Sequence, residues 1–279
     1  MSDDVAYLHS WIGRQQVSRA KIDAELVRRY RATLDLPDID SIVAPRLLHF
    51  CLAPAVVQTS ALGTDGHPPL GDFLPPVPLP RRMWAGGKIS FEGDLSVGDN
   101  VRRVSRVENI AMKEGRTGRL FFVTVSHHLE APSALIVEQQ DIVYRGPEMA
   151  GASQAATPAA MPSPAPTHQR SCLPVGPTLL FRYSALTFNA HRIHYDRPYA
   201  IEEEGYPDLV VHGPLQAAML INYATELSGT APSKFSFRGT SPLYSSDSYT
   251  LNASVEGETM KLWTEKANGT VCMAAIASW

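Results

Sequence analysis

The sequence predicts an α+β chain folded in two halves, and three features carry that expectation. The first is the stretch from Ala150 to Thr167, AGASQAATPAAMPSPAPT, which holds only Ala, Gly, Ser, Gln, Thr, Pro and one Met. It lacks the large apolar groups that offset ordering entropy. Residues 148–177 are therefore expected to link residues 1–147 to residues 178–279. The second is Gly213-Pro214 followed by LQAAMLINYATEL and closed by Ser228-Gly229, a helix with Pro in its first turn and Gly just past its end. Leu215, Ala218, Met219, Leu220, Ile221, Tyr223 and Leu227 cover most of its circumference and Glu226 is its only charge, so it should be wrapped by protein. The third is a series of short runs rich in β-branched and aromatic residues, parted by Gly, Asp and Pro.

Taken in order, the first half opens with a helix. From Ser18, a suitable N-cap, Ile22, Leu26, Tyr30 and Leu34 recur every four residues, with Arg19, Lys21, Arg28, Arg29 and Arg31 largely elsewhere. Six of the 22 prolines then fall between Pro68 and Pro80, with Leu and Phe among them, which reads as an ordered loop able to lie over a site. Strands are expected at 87–94, 120–126 and 134–144. His127 and His128 follow one another on a strand and point to opposite faces, so at most one faces a given pocket. In the second half, strands are expected at 234–238, 249–255, 261–266 and 270–279, the last two joined by a two-residue turn at Asn268-Gly269. A curled antiparallel sheet around the apolar helix fits this half.

Composition removes several classes of function. A chain of 279 residues, 44% hydrophobic and 19% charged, can bury a real core and is neither a disordered tail nor a coiled coil. With 25 Lys plus Arg against 28 Asp plus Glu, the net charge is −3, and no basic cluster offers a field for nucleic acid. Cys51, Cys172 and Cys272 are odd in number and far apart, which points to reduced thiols and a cytoplasmic protein. The start, MSDDVAYLHSWIG, is acidic where a secretory signal is basic, and no apolar run approaches the ~20 residues that span a bilayer. No membrane partner is expected.

Chemistry is concentrated between 181 and 220. Asn189, His191, His194 and Asp196 fall within eight residues, ahead of Arg197-Pro198, which discourages a continuous helix. Three readings are open. The polar cluster can cap a turn, or His191, His194 and Asp196 can ligate a metal, although no further ligand stands at a recognisable spacing. The third reading is acid–base chemistry. It needs an imidazole (His194), a neighbour that holds water (Asn189), and dipoles aimed at a developing oxyanion, here the Gly213 N–H at the start of the apolar helix.

The run Thr187-Phe188-Asn189-Ala190-His191-Arg192-Ile193-His194-Tyr195-Asp196, with Val211-His212-Gly213-Pro214, resembles the hydratase motif of MaoC-like, type 2 hydroxyacyl-thioester dehydratases. A looser likeness, carried by Leu79-Pro80-Arg81-Arg82-Met83-Trp84-Ala85-Gly86-Gly87, extends it over the first half. The resemblance implies a double hot dog, each half a curled antiparallel sheet around a central helix, and reversible hydration of a 2-enoyl-CoA without metal or cofactor, CoA being part of the substrate. The spelling is similar to enzymes of branched C5 dicarboxylic thioesters, itaconyl-CoA or mesaconyl-C4-CoA, that form citramalyl-CoA. One position departs: the R-specific hydratases carry Asp where this chain has Asn189. An amide takes no proton, so the resemblance assigns His194 alone as base and returning acid, Asn189 as water holder and the Gly213 N–H as oxyanion donor.

A second carboxylate needs a buried cation, for which Arg82, Arg182 and Arg192 are candidates, each equally able to meet CoA phosphates or form a surface ion pair, with Arg192 favoured because it sits inside the motif. Trp84 is a candidate for the acyl pocket or the adenine site, with core packing the favoured alternative, His191 and Asp196 are reserves for His194 or structural caps of the turn, and His212 is expected to bond locally. The first half has no second copy of the motif, so its expected work is to complete the binding tunnel. A homo-oligomer is left open. Rival functions are dehydration of 3-hydroxyacyl chains on CoA or acyl carrier protein in lipid synthesis, and a catalytically silent acyl-CoA binder.

Overall fold

A computed structural model describes residues 5–37, 41–115, 118–146, 165–172 and 174–279. Its first half holds α1 (Val5–His9), β1 (Gln15–Lys21), α2 (Ala24–Thr33), β2 (Arg81–Gly93), β3 (Asn100–Gly115), β4 (Gly118–Ala131) and β5 (Ala134–Arg145). The second holds β6 (His168–Cys172), α3 (Pro177–Thr187), α4 (Gly213–Ser228), β7 (Lys234–Gly239), β8 (Tyr249–Glu256), β9 (Thr259–Lys266) and β10 (Val271–Ser278). The strands form one sheet in the order β1-β3-β4-β5-β2-β7-β10-β9-β8-β6, so each half contributes a block of five. The blocks meet where β2 pairs antiparallel with β7, from Gly86 opposite Arg238 to Ser90 opposite Lys234.

The expected linker lies outside the described residues from 148 to 164. Its far end is structured, because β6 pairs with β8 from His168 opposite Ala253 to Cys172 opposite Tyr249. α4 matches its sequence signals: Pro214 stands in the first turn, and Gly229 closes the helix at φ 77°. Leu215, Gln216, Ala217, Ala218, Leu220, Ile221, Tyr223 and Ala224 are buried on it, with β7 to β10 on one side and β2 across the seam. One core joins Ile22, Val27 and Tyr30 around α2 to Ile89, Phe91, Leu129 and Ile136 of the first block, and on to Leu215, Ile221, Phe235 and Leu262 of the second. Each large side chain so buried stabilises the fold by about 1.5–3 kcal/mol.

Three expectations are corrected. Ser18 is not an N-cap: residues 15–21 form edge strand β1, paired with β3 from Gln15 opposite Arg106 to Lys21 opposite Asn100. The cap of α2 is Asp23, whose carboxylate accepts the Leu26 N–H at 2.7 Å. β3 was not assigned from the sequence because its apolar residues are spread among Arg, Glu and Lys, yet Val101, Ser105, Val107 and Ile110 are buried. The β9–β10 turn is not a two-residue type I′ turn, since only Gly269 has positive φ (82°), and the register slips between Val271 and Met273.

His127 is buried and His128 exposed, as alternation on β4 requires. The His127 ring nitrogens meet Ser105 Oγ at 2.8 Å and Gln140 Oε1 at 3.0 Å. Glu138 lies nearby at 3.4 Å from His49 Nε2. Burial pushes the Glu138 carboxyl up, but the bond to His49 and the charges of His127, His49 and Arg103 outweigh it and hold the pKa below the usual value. With His127 bonded to Ser105, Gln140 and Arg103, and Glu138 facing His49 as an ion-pair neighbour, this group reads as structural.

Candidate active site

The segment between α3 and α4 is locked by local bonds. α3 ends on Phe188 in the left-handed region, and the Asn189 N–H returns to Ser184 O at 2.9 Å. Asn189 Oδ1 accepts the His191 N–H at 3.0 Å, so this oxygen holds the turn. A short 3-10 turn, Arg192–His194, follows, and Asp196 Oδ1 accepts the Tyr199 N–H at 3.2 Å to start the next turn.

His194 is buried at 7% exposure. Its Nδ1 lies 2.7 Å from Val210 O, so Nδ1 carries the proton and donates it, leaving the Nε2 lone pair free. Its ring stacks on His212, centroids 3.6 Å apart, and His212 is the residue just before α4. The imidazole therefore stands beside the start of the helix, where the Gly213 N–H finds no acceptor among the described residues. Burial lowers the His194 pKa to about 4, against a raising effect from the Val210 bond and a further lowering from His67. The ring is thus neutral near pH 7 and able to accept a proton. A Cβ on Gly213 would meet Trp84 O at 3.6 Å and Met273 Cε at 3.8 Å, an ordinary fit, so the glycine is not demanded by crowding there.

The structure adds a pair that sequence reasoning missed. Asp65 and His67 stand at the head of the proline-rich loop of the first half. Asp65 Oδ2 lies 2.7 Å from His67 Nδ1, and Asp65 Oδ1 accepts the His67 N–H at 2.9 Å. The His67 ring packs on His191 with centroids 4.1 Å apart, and His191 meets His194 edge-on at 5.3 Å. The loop is fastened to the motif: the Arg192 N–H donates to Asp65 O at 2.9 Å and Arg192 Nη1 to Thr64 O at 3.0 Å. Gly66, at φ 86°, lies so close that a Cβ would sit 1.8 Å from Ala190 O. The signal that could have found the pair is the Asp-Gly-His triplet ahead of two prolines.

His191 is buried, and burial with the neighbouring His67 and His194 lowers its pKa well below the usual range. His212 Nε2 meets Ser184 Oγ at 2.8 Å, the local bond expected of it, while its buried Nδ1 has no partner among the described residues. Arg82 is the candidate cation that reaches this cluster, since its charge acts on His67, His191 and the buried Tyr144 hydroxyl. Tyr144 stands opposite Arg82 across β2 and β5. Arg192 is committed elsewhere, its Nε and Nη2 bound to Asp196 Oδ2 at 3.0 and 2.7 Å and its guanidinium 4.0 Å above the Tyr199 ring. It borders an open cleft of about 460 Å³ shared with Asp196, Glu202 and Glu203, a poor setting for a phosphate or carboxylate. Arg182 is exposed on α3, away from these contacts. Trp84 packs against Phe50 at 4.9 Å and Phe237 at 5.9 Å and bonds to Gly86 O at 2.9 Å, so it lines the seam next to Gly213.

Among the described residues, Asp65, His67 and His191 bring donor atoms within 4.8 Å of one another, a set able to hold a metal ion. The direct Asp65–His67 bond already joins two of these groups, and the Arg82 charge works against a further cation. No helix of the described residues is long and apolar enough to cross a membrane.

Comparison with known proteins places this geometry in context. The sequence model for hydroxyacyl-thioester dehydratase type 2 matches residues 47–245. Mesaconyl-C(4)-CoA hydratase of Chloroflexus aurantiacus is 42% identical over 272 residues, 95% of each chain. The mitochondrial hydroxyacyl-thioester dehydratase type 2 of Schizosaccharomyces pombe is 37% identical over 93 residues, 32% of this chain and 30% of that one. Among solved structures, HtdX of Mycobacterium tuberculosis superposes with a TM-score of 0.68 at 19% identity, over 95% of this chain and 100% of that one. A second Mycobacterium tuberculosis protein, described as a double hot dog, gives 0.55 at 12% identity over 96% of each chain.

Proposed function

Because the chain belongs to the hydroxyacyl-thioester dehydratase type 2 family and has its double hot dog fold, we propose that it is a hydro-lyase that reversibly hydrates a short branched dicarboxylic 2-enoyl-CoA. Mesaconyl-C4-CoA is the leading substrate, with citramalyl-CoA as product; itaconyl-CoA is the second, and because its double bond joins the β-carbon to a terminal CH2, it reaches the same product by protonation of that CH2 rather than of the α-carbon. The observation that carries this reading is a neutral, buried imidazole, that of His194, stacked on the residue that precedes the free Gly213 N–H.

In this reading the thioester carbonyl faces the Gly213 N–H, where the helix dipole stabilises the enolate oxygen. His194 Nε2 takes a proton from water as the water oxygen bonds to the β-carbon, and the His194 imidazolium so formed gives its Nε2 proton to the α-carbon to complete the addition. The Asn189 side-chain amide remains able to donate to that water, although its oxygen is held by the His191 N–H. The substrate assignment is supported by the 42% identity to a mesaconyl-C4-CoA hydratase along 95% of both chains. It is also supported by the Arg82 charge that acts on His67 and His191, because mesaconyl-C4-CoA carries its second carboxylate on the very carbon that receives the hydroxyl.

The test follows the fall in conjugated enoyl-thioester absorbance with mesaconyl-C4-CoA and with crotonyl-CoA, which lacks the second carboxylate. Mesaconyl-C4-CoA is expected to react faster, and Arg82→Met should remove about 10- to 100-fold of that advantage, the worth of one charge-assisted hydrogen bond. Preference for crotonyl-CoA or longer chains would favour a lipid-type dehydratase. No decay with any enoyl-CoA would leave an acyl-CoA binder.

A further inference from the structure

The first half of the molecule brings a carboxylate, that of Asp65, to the histidine cluster. We propose that His67, held by Asp65, is the second acid–base group of the reaction and delivers the proton to the α-carbon, while His194 takes one from water. This inference rests on the hydratase reading above.

Five observations support it. Asp65 grips His67 at both the ring and the backbone, at 2.7 and 2.9 Å, which fixes the orientation of the imidazole. The loop that carries the pair is tied to the motif through the Arg192 N–H and guanidinium. Gly66 allows a backbone approach to Ala190 that any side chain would block. The His67 ring abuts His191, which in turn touches His194, so the two outer imidazoles flank one buried cluster. Finally, His67 is the only one of the four clustered histidines, His67, His191, His194 and His212, with a carboxylate bonded to its ring among the described residues.

The charged and titratable groups that face His67 are Asp65 on its own loop, Arg82 on β2, and His191 with His194 behind it on the motif. Glu204 and Tyr199 lie within the field of Asp65. Burial lowers the His67 pKa and Arg82 adds to this, while the bond and charge of Asp65 raise it. An acid and a base in one site are marked by environments that part their pKa values. Here Asp65 supports the proton on His67 while nothing anionic supports one on His194.

In the hydration direction, an O–H bond of water breaks and its proton passes to His194 Nε2 as the C–O bond forms at the β-carbon. The π pair of the double bond becomes the C–H bond at the α-carbon, taking the proton of the His67 imidazolium, whose N–H bond breaks. His194 ends charged and His67 neutral. His67, at 19% side-chain exposure, regains a proton from solvent while His194 gives one up, and one water has been consumed. This replaces the one-imidazole cycle with two groups.

The test compares the full-length wild type with His67→Gln, Asp65→Asn and His194→Ala on mesaconyl-C4-CoA between about pH 4 and 9. His67→Gln is expected to lower kcat at least about 100-fold, with KM within about threefold, an unchanged melting temperature, and loss of the alkaline limb of the profile. Asp65→Asn should move that limb to lower pH, because the bond and charge that raise the His67 pKa against burial are gone. Normal kcat and an intact limb in His67→Gln, beside an inactive His194→Ala, would overturn this inference and leave the hydratase reading standing. A rise in KM alone would make His67 a binding group and overturn its acid role. Loss of wild-type activity in EDTA with recovery on Zn²⁺ would assign Asp65, His67 and His191 to a metal, with the same consequence. A wild type inactive on every enoyl-CoA would remove both readings.

Discussion

At the scale of the residue, His194 works as a base because it is out of water. Its Nδ1 proton is taken by Val210 O at 2.7 Å, and its pKa is pushed down to about 4. A base must be neutral to act, so hydration should rise with pH through about 4 and be lost below it. A pH profile of kcat/KM reads this limb directly, and an acid limb near the ordinary imidazole value would contradict it. His194→Ala should cost about 100- to 10,000-fold in rate with the fold intact, as circular dichroism and a melt would show. The motif histidines and Asn189 were legible in the sequence because they lie within six residues of one another. Asp65 and His67 were not, since their partners follow more than a hundred residues later and no local pattern ties them together. Among the arginines the sequence favours Arg192, and the structure goes against that choice. Arg192 sits inside the motif yet is spent on Asp196, whereas Arg82, carried on β2, acts through its charge on His67 and His191.

At the scale of the element, the proline-rich loop is the part whose role changes most. The sequence suggests a loop able to lie over a site, and the structure fastens it there through Gly66 against Ala190. Gly66→Ala places a methyl 1.8 Å from a carbonyl oxygen at a backbone φ of 86°, so the loop must lift. The expected cost is about 1–3 kcal/mol, a melting temperature lower by several degrees, and a fall in kcat beyond what that loss of stability explains. Unchanged melting and turnover in this variant would mean that the loop does not depend on the close approach. Elements with strong local signals were read well. α4 has Pro214 and Gly229 at its ends and apolar residues on most sides, and all of this survives in the fold. β1 was misread because Ser18 and the Arg and Lys beside it suit a helix start, while pairing with β3, a non-local contact, makes it a strand.

At the scale of the whole molecule, one sheet and one main core run through both halves. Gly86 and Gly87 let the seam close, for a Cβ on Gly86 would stand 2.5 Å from Phe237 O and one on Gly87 3.1 Å from Phe237 Cζ. Gly86→Ala should therefore cost about 3 kcal/mol and lower a single melting transition of the entire chain. Two separated transitions in calorimetry, with only one moved, would show that the halves are independent. The sequence by itself determined the α+β class, the enclosed helix α4, most strands, and the histidine motif at the helix entry, because periodicity, capping and composition are properties of neighbouring residues. Only the tertiary structure decided which loop of the first half reaches that motif, which arginine lies beside it, and that Asp65 faces His67 and His67 faces His191. Those meetings join residues far apart along the chain, and they exist only after the seam has closed and burial has set the charge each group can hold.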